Sequence, residues 1–268
     1  MGTYVEIAGL RTWYDEVGSG QPLVLLHGGL CSNETWGPQL PAFGREFRVL
    51  APERRGHGRT PDVEGPLSYD AMTTDTIGFL DAVVGGPACL VGWSDGGIIG
   101  LLLAMRRPDL VRKLVAISAN FETTGVPEPV MAQFLAMQPD SDEIATLRSA
   151  YEAASPDGPA HWPVVFGKFL EMVAREPHIP RSELGRISAP VLVLAADDDL
   201  VSLEHTIELF RSIPAAELAI VPGTSHFLTM EKPELVNQLI LDFLQREPPP
   251  TMMPIERRER HAGPPRDA

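Results

Sequence analysis

The sequence predicts an α/β protein built on one mostly parallel, eight-stranded sheet with helices on both faces. Two observations carry this: short apolar runs recur along the chain, and the later ones alternate with helical periodicities. A third sets the scale, since 268 residues with 44% hydrophobic content suit one large domain with room for an insertion.

The runs are Tyr4–Ile7, Leu10–Glu16, Pro22–His27, Phe47–Ala51, Ala88–Trp93, Lys113–Ser118, Val191–Ala196 and Glu217–Val221. Only Ala8 and Gly9 separate the first two, which marks an antiparallel hairpin. Tyr69, Met72, Thr76, Leu80 and Val83 follow helical spacing behind Ser68, a suitable N-cap. That helix is expected to pack on the sheet and carry no chemistry. Ile98–Met105 reads as a buried helix directly behind the fifth strand.

Between Asn120 and Arg186 the alternation breaks down. Prolines interleave with short helical patterns: Ile144, Leu147 and Tyr151, then Val165, Phe169, Met172 and Val173. An insertion of this size at a strand's C-terminal end reads as a lid over a site, the alternative being helices that merely extend the core. The expected organisation is therefore a core over 1–119 and 187–246, with a helical lid over 120–186 between the sixth and seventh strands. The remaining segment, 247–268, holds Pro248–Pro250 and a mixed-charge run from Glu256 to Arg260, and reads as a flexible tail.

A balance of 22 basic against 36 acidic residues gives a net charge of −14. This argues against a nucleic-acid or anionic-membrane partner and leaves a small molecule as the expected one. Cys31 falls in a predicted loop and Cys89 in a predicted strand, so neither marks a disulfide or a metal site. The first residues lack a basic segment followed by an apolar core, and no apolar stretch is long enough to span a bilayer. A soluble cytoplasmic protein is the corresponding expectation.

Chemistry concentrates at Gly92-Trp93-Ser94-Asp95-Gly96-Gly97, where a strand becomes a helix. A G-x-S-x-G sequence at such a junction is a nucleophile elbow. The small residues let strand and helix approach closely, and the serine hydroxyl stands clear at the helix N-terminus. A serine needs a base, and the base needs a carboxylate to fix its tautomer. His226 follows the last predicted strand and supplies the base. The carboxylate must come from Asp197-Asp198-Asp199 after the seventh strand. Counting from the strand start favours Asp199, whereas counting back from the next helix favours Asp198; strand register is the tighter constraint and selects Asp199. His27-Gly28-Gly29 ends the third strand in the form of an oxyanion loop, with the N–H groups of Gly29 and Asp95 as candidate donors. Trp93 and the Asp95 side chain are candidate substrate-binding groups. No metal or organic cofactor is required by this chemistry.

With these motifs in hand, the chain up to about Leu244 resembles the α/β-hydrolase superfamily in its serine hydrolase branch. The resemblance implies the α/β-hydrolase fold and a serine hydrolase acting on a small carboxylic ester, lactone or thioester. Arg55-Gly56-His57-Gly58-Arg59 is similar to the superfamily's R-G-x-G-x-S loop, with Thr60 at the serine position, and implies that Arg55 ties down backbone carbonyls. A serine at the elbow centre sets the chain apart from the dehalogenase and epoxide hydrolase branches, which place an aspartate there. The elbow is also similar to that of the biphenyl hydrolase-like enzymes, although His27 departs from that group. In them the aspartate after the nucleophile binds the α-amino group of an amino-acid ester, which implies an ammonium anchor at Asp95; its other reading is a carboxylate complementing the helix dipole. Three further readings share the fold: a cofactor-free perhydrolase of the haloperoxidase type, a C–C bond hydrolase and a non-catalytic ligand-binding protein.

Overall fold

The structure is a computed structural model that describes residues 2–246 and residue 252; the expected tail lies outside the described residues apart from Met252. Eight strands form one sheet: β1 (Gly2–Ile7), β2 (Leu10–Val17), β3 (Pro22–Leu26), β4 (Arg48–Pro52), β5 (Ala88–Trp93), β6 (Val111–Ile117), β7 (Val191–Asp198) and β8 (Ala216–Ser225). Their order is β1-β2-β4-β3-β5-β6-β7-β8. β2 runs antiparallel to both neighbours, and the other pairs are parallel. The hairpin and the parallel sheet expected from the sequence are both present.

Ten α-helices accompany the sheet among the described residues: α1 (Gln39–Phe43), α2 (Tyr69–Phe79), α3 (Asp95–Arg106), α4 (Glu128–Ala136), α5 (Ala145–Ala154), α6 (Trp162–Val173), α7 (Arg181–Leu184), α8 (Leu203–Ser212), α9 (Leu228–Glu231) and α10 (Pro233–Gln245). Ser68 caps α2 by accepting a hydrogen bond from the Ala71 N–H, and Ser202 caps α8 from the His205 N–H. None of the described helices is long and apolar enough to cross a membrane.

Alternation along the central strands divides the core in two. Val24, Leu26, Leu90, Leu114, Ala116 and Val193 face α2, α3 and the 120–186 insertion. Their neighbours Leu23, Leu25, Cys89, Val91, Val115 and Leu194 face Trp36, Phe43 and the α10 residues Val236, Ile240 and Phe243. Burial on both faces explains why these strands read as unbroken apolar runs.

Two features of the sheet position the chemistry. The chain leaves β3 to form β4 on one side and returns to form β5 on the other, so a crevice opens at the C-terminal ends of β3 and β5. β7 and β8 also run past the ends the sequence suggests. After a register shift between Ala196 and Asp198, Asp198 pairs with Ser225, and the first residues beyond the two strands are Asp199 and His226. A bulge therefore brings the carboxylate and the imidazole side by side.

The junction of β5 and α3 depends on the absence of side chains. A Cβ on Gly96 would overlap the Leu26 carbonyl, and one on Gly92 would overlap the Gly96 carbonyl. Gly96→Ala should therefore lower stability by roughly 2 kcal/mol or more, as expected for steric conflict with backbone. Gly86→Ala, where an added Cβ meets nothing within 4 Å, should stay within about 0.5 kcal/mol of wild type. Equal denaturation midpoints for the two variants would contradict the close-packed junction.

Candidate functional site

Ser94 has φ 53° and ψ −119°, a conformation that non-glycine residues rarely adopt. The turn is held by Ser94 N–H donating to Ile117 O at 2.8 Å, and by the Gly97 and Ile98 N–H groups donating to Ser94 O. Asp95 is the first residue of α3, so the Ser94 side chain stands beside a helix N-terminus.

His226 Nδ1 lies 2.7 Å from Asp199 Oδ1. Burial would raise the Asp199 pKa, but the hydrogen bond and charge of His226, the Ser118 hydroxyl and the Ala196 N–H outweigh it and hold the carboxyl below its usual range. An ionised carboxylate can only accept, so the imidazole proton sits on Nδ1 and Nε2 is the basic nitrogen. Ser118 Oγ donates to Asp199 Oδ2, Ala196 N–H donates to the same oxygen at 3.1 Å and Val201 N–H to Oδ1 at 3.3 Å. Of the three aspartates, Asp199 is the one with a fully buried side chain facing His226. Asp197 and Asp198 are exposed, and Asp197 accepts from the Thr224 N–H.

Trp93 is 2% exposed, and its indole N–H donates to His226 O at 2.8 Å. The ring borders the cavity described below and braces the histidine loop from beneath.

The loop after β3 is tied down by a residue other than the one the sequence suggests. Arg54, not Arg55, holds backbone carbonyls: its guanidinium donates to His27 O and, at 2.9 Å, to Gly28 O. Arg55 instead pairs bidentately with Asp75 of α2 at 2.6 and 2.7 Å. The motif locates the loop, but two adjacent arginines on an irregular backbone point in different directions. His27 Nδ1 faces Gly28 O at 2.8 Å, and its Nε2 accepts from the Arg54 N–H. Gly29 follows with no room for a side chain, since a Cβ would press on the Phe169 ring and on Asp95 Oδ2 at 2.7 Å.

The Asp95 carboxylate is 4% exposed. Tyr69 OH donates to its Oδ1 at 2.8 Å, while Oδ2 is buried without a hydrogen-bond partner. Burial raises its pKa, and the nearby Arg54 charge and the Tyr69 hydroxyl offset part of the rise. Tyr69 thus gives α2 a share in the site that its sequence pattern did not reveal.

Ser94, Asp95 and His226 border two adjoining cavities. The larger, about 480 Å³, is walled by Gly28–Cys31, Trp93 and Phe227 from the core and by Val130, Phe134, Ile144, Leu147 and Phe169 from the insertion. The smaller, about 80 Å³, is walled by Tyr69, Ser118, Asn120, Val126, Met131, Val173 and Glu176 among others. Asp95, Glu143, Asp198 and Asp199 border the first and Asp95 and Glu176 the second; among the described residues no Lys or Arg lines either. The site is therefore an apolar chamber with carboxylates in its walls.

The model of the alpha/beta hydrolase family matches residues 23–239, from within β3 to within α10. The chain belongs to the alpha/beta hydrolase family. A protein of Agrobacterium fabrum named "Putative carbamate hydrolase RutD" is 31% identical over 248 residues, 83% of this chain and 93% of that protein. The serine hydrolase BPHL of Homo sapiens is 28% identical over 253 residues, 90% of this hydrolase chain and 85% of its relative. Among solved structures, the meta-cleavage product hydrolase CumD of Pseudomonas fluorescens superposes with a TM-score of 0.76 over 91% of this chain and 97% of its own, at 24% identity; that likeness concerns the fold.

Two buried imidazoles near the site have a measurable consequence. Burial, helped by the Arg54 charge, holds His27 well below the ordinary imidazole value and His57 down at about 3. Unfolded histidines take up protons near pH 6.5, so this contribution to stability is full above about pH 6.5 and is lost as pH falls toward the folded-state values. Glu53 acts in the opposite sense, because burial pushes it up to about 7 despite the N–H groups and charge of Arg59. A comparison with His57→Gln isolates the histidine: its unfolding free energy, from denaturant titrations, should fall less steeply than wild type between about pH 6 and 4, by up to about 1.4 kcal/mol per pH unit. Parallel slopes would contradict the assignment.

Proposed function

We propose that this member of the family is a serine hydrolase that cleaves small carboxylic esters, a class extending to lactones and thioesters, through an acyl-enzyme on Ser94. The observation that carries the proposal is the His226–Asp199 pair, which leaves a basic Nε2 on an imidazole bordering the same cavity as an elbow serine. The human relative's name, a serine hydrolase, agrees with this reading.

In the proposed reaction Ser94 Oγ attacks the acyl carbon and its proton passes to His226 Nε2. The Gly29 and Asp95 N–H groups receive the negative charge that develops on the carbonyl oxygen. The imidazolium, stabilised by Asp199, protonates the leaving alkoxide, and the alcohol departs. Water then gives a proton to His226 and attacks the acyl carbon; the proton returns to Ser94 Oγ as the acid is released. Helices α4 to α6 act as the lid, since Phe134, Leu147 and Phe169 contribute apolar wall above Ser94.

Charge narrows the substrate class. Carboxylate-lined walls without Lys or Arg among the described residues favour neutral or cationic substrates and disfavour anionic ones. The place of Asp95 beside Ser94 in the walls of both cavities supports an ammonium anchor and hence a preference for amino-acid esters.

Ser94→Ala should reduce hydrolysis of p-nitrophenyl butyrate by on the order of 10⁶-fold with an unchanged circular dichroism spectrum. Asp199→Asn should cost about 10⁴-fold, and Asp198→Asn less than about tenfold. Retained activity in Ser94→Ala, or equal losses at the two aspartates, would refute the mechanism.

A separate comparison addresses Asp95. Wild type should favour an amino-acid ester over its uncharged isostere, and Asp95→Asn should lose about tenfold or more of that preference. The same preference in both proteins would remove the anchor.

A further inference from the structure

We propose that Arg54 is a positioning residue for the oxyanion site: from behind the loop that follows β3, its guanidinium holds and polarises the peptide unit whose N–H is the Gly29 donor. The proposal rests on the acyl-hydrolase reading, which puts a developing oxyanion at that N–H, and adds the residue that makes the donor strong.

The C=O and N–H of a peptide are two ends of one resonant unit. Hydrogen bonds accepted by the oxygen draw electron density from the nitrogen, so the N–H donates more strongly. The carbonyl that shares a peptide with the Gly29 N–H is Gly28 O, and three donors converge on it. Arg54 Nη2 donates at 2.9 Å, the Cys31 N–H donates at 3.3 Å, and His27 Nδ1 lies 2.8 Å away. Burial keeps His27 neutral and its Nε2 accepts the Arg54 N–H, so the single ring proton is on Nδ1 and points at Gly28 O. Of the three donors only Arg54 carries a charge, and charged donors bond roughly twice as strongly as neutral ones.

The second candidate donor is backed in the same way. The Asp95 N–H shares its peptide with Ser94 O, which accepts the Gly97 and Ile98 N–H groups at 2.8 and 3.1 Å. Gly29 lies in a loop, and Arg54 supplies there what the first turn of α3 supplies at Asp95.

Arg54 is 4% exposed, and among the described residues no Lys or Arg lines either cavity, so it acts through the loop and not on the substrate. Its Nη1 donates to His27 O, so one planar fork grips both carbonyls that precede Gly29. Aromatic rings confine the same peptide: a Cβ on Gly28 would lie 3.0 Å from Trp93, and one on Gly29 would lie 2.4 Å from Phe169. The buried Asp95 carboxylate also approaches Gly29, and an uncompensated negative charge there would oppose an oxyanion. Arg54 supplies the compensating charge. Burial lowers its pKa, and the Asp95 charge is the first influence opposing that fall.

A side chain that only secured the loop would change stability and leave the strength of the donor alone, and the test is built on that difference. Addition of Ser94 Oγ to the carbonyl of 1,1,1-trifluoro-4-phenylbutan-2-one gives a hemiketal whose oxygen ionises at the oxyanion site. Carbon NMR of the isotopically labelled carbonyl carbon reads the midpoint of that ionisation. In Arg54→Met the midpoint should rise by about one pH unit, a tenfold change in ionisation. Its kcat for p-nitrophenyl butyrate should fall by about tenfold or more, with KM within about threefold of wild type. Deleting a donor outright costs about 10²- to 10³-fold, and here the Gly29 N–H remains. Arg54→Lys keeps the charge without the fork and should lie between wild type and Arg54→Met in both readouts. Circular dichroism checks the fold of each variant, and Arg54→Lys decides if Arg54→Met does not fold.

A midpoint equal to that of wild type in folded Arg54→Met, or in Arg54→Lys where it alone folds, would overturn the role of Arg54 and leave the acyl-hydrolase reading standing. Failure of wild type both to form the Ser94 adduct and to hydrolyse the ester would overturn that reading and the proposal with it.

Discussion

Everything at this site depends on how closely β5 and α3 approach β3. Gly96 lies against the Leu26 and His27 carbonyls, and Gly92 against Gly96, with no space for a methyl group at either position. The approach forces Ser94 to a positive φ and brings the start of α3 beside the loop that follows β3. A strained residue persists only where its surroundings over-determine it. Here the backbone bond to Ile117 and two bonds to Ser94 O from the first turn of α3 do so. The strain and the position of the helix N-terminus are two results of one packing constraint.

A second layer fixes the groups around the serine, and nearly all of it is long-range. Arg54 spends its guanidinium on the carbonyls of His27 and Gly28, which orients the loop carrying Gly29. Trp93 holds His226 through its backbone oxygen, and Ser118 holds Asp199 through its hydroxyl. Each support comes from the C-terminal end of a parallel strand or the loop after it, where a doubly covered sheet leaves its crevice. The insertion is tied to the core near its other side, where Lys168 of α6 and His161 both reach Asp62 at 2.6 and 2.9 Å. Helix α4 has no buried residues, so the wall it lends to the cavities rests on partial contacts.

Legibility in the sequence follows from how local each signal is. The elbow is a contiguous string whose glycines have a steric reason, and the parallel sheet shows in apolar runs buried on both faces. His226 could be singled out because it follows the last strand directly, and Asp199 because counting from the strand start favours it over Asp198; in the structure it lies one residue beyond the pair Asp198–Ser225. Tyr69 and Ser118 carry no such mark. Tyr69 reads as the first apolar residue of a packing helix, yet its hydroxyl meets a carboxylate 26 positions away. Ser118 meets one 81 positions away. Contacts of that range are set by the fold and leave no periodicity in the chain. The Arg54 and Arg55 roles were beyond the motif for the same reason, because a glycine-rich loop has no register to assign neighbouring side chains.

The central claim is that Ser94 becomes covalently acylated. A rapid-quench digestion of the enzyme mixed with excess p-nitrophenyl butyrate, read by mass spectrometry, tests it most directly. A butyryl mass is expected on the peptide containing Ser94, formed within the pre-steady-state burst and absent from His226→Ala. Turnover with an unmodified Ser94 peptide at every quench time, or an acyl mass on another residue, would contradict it.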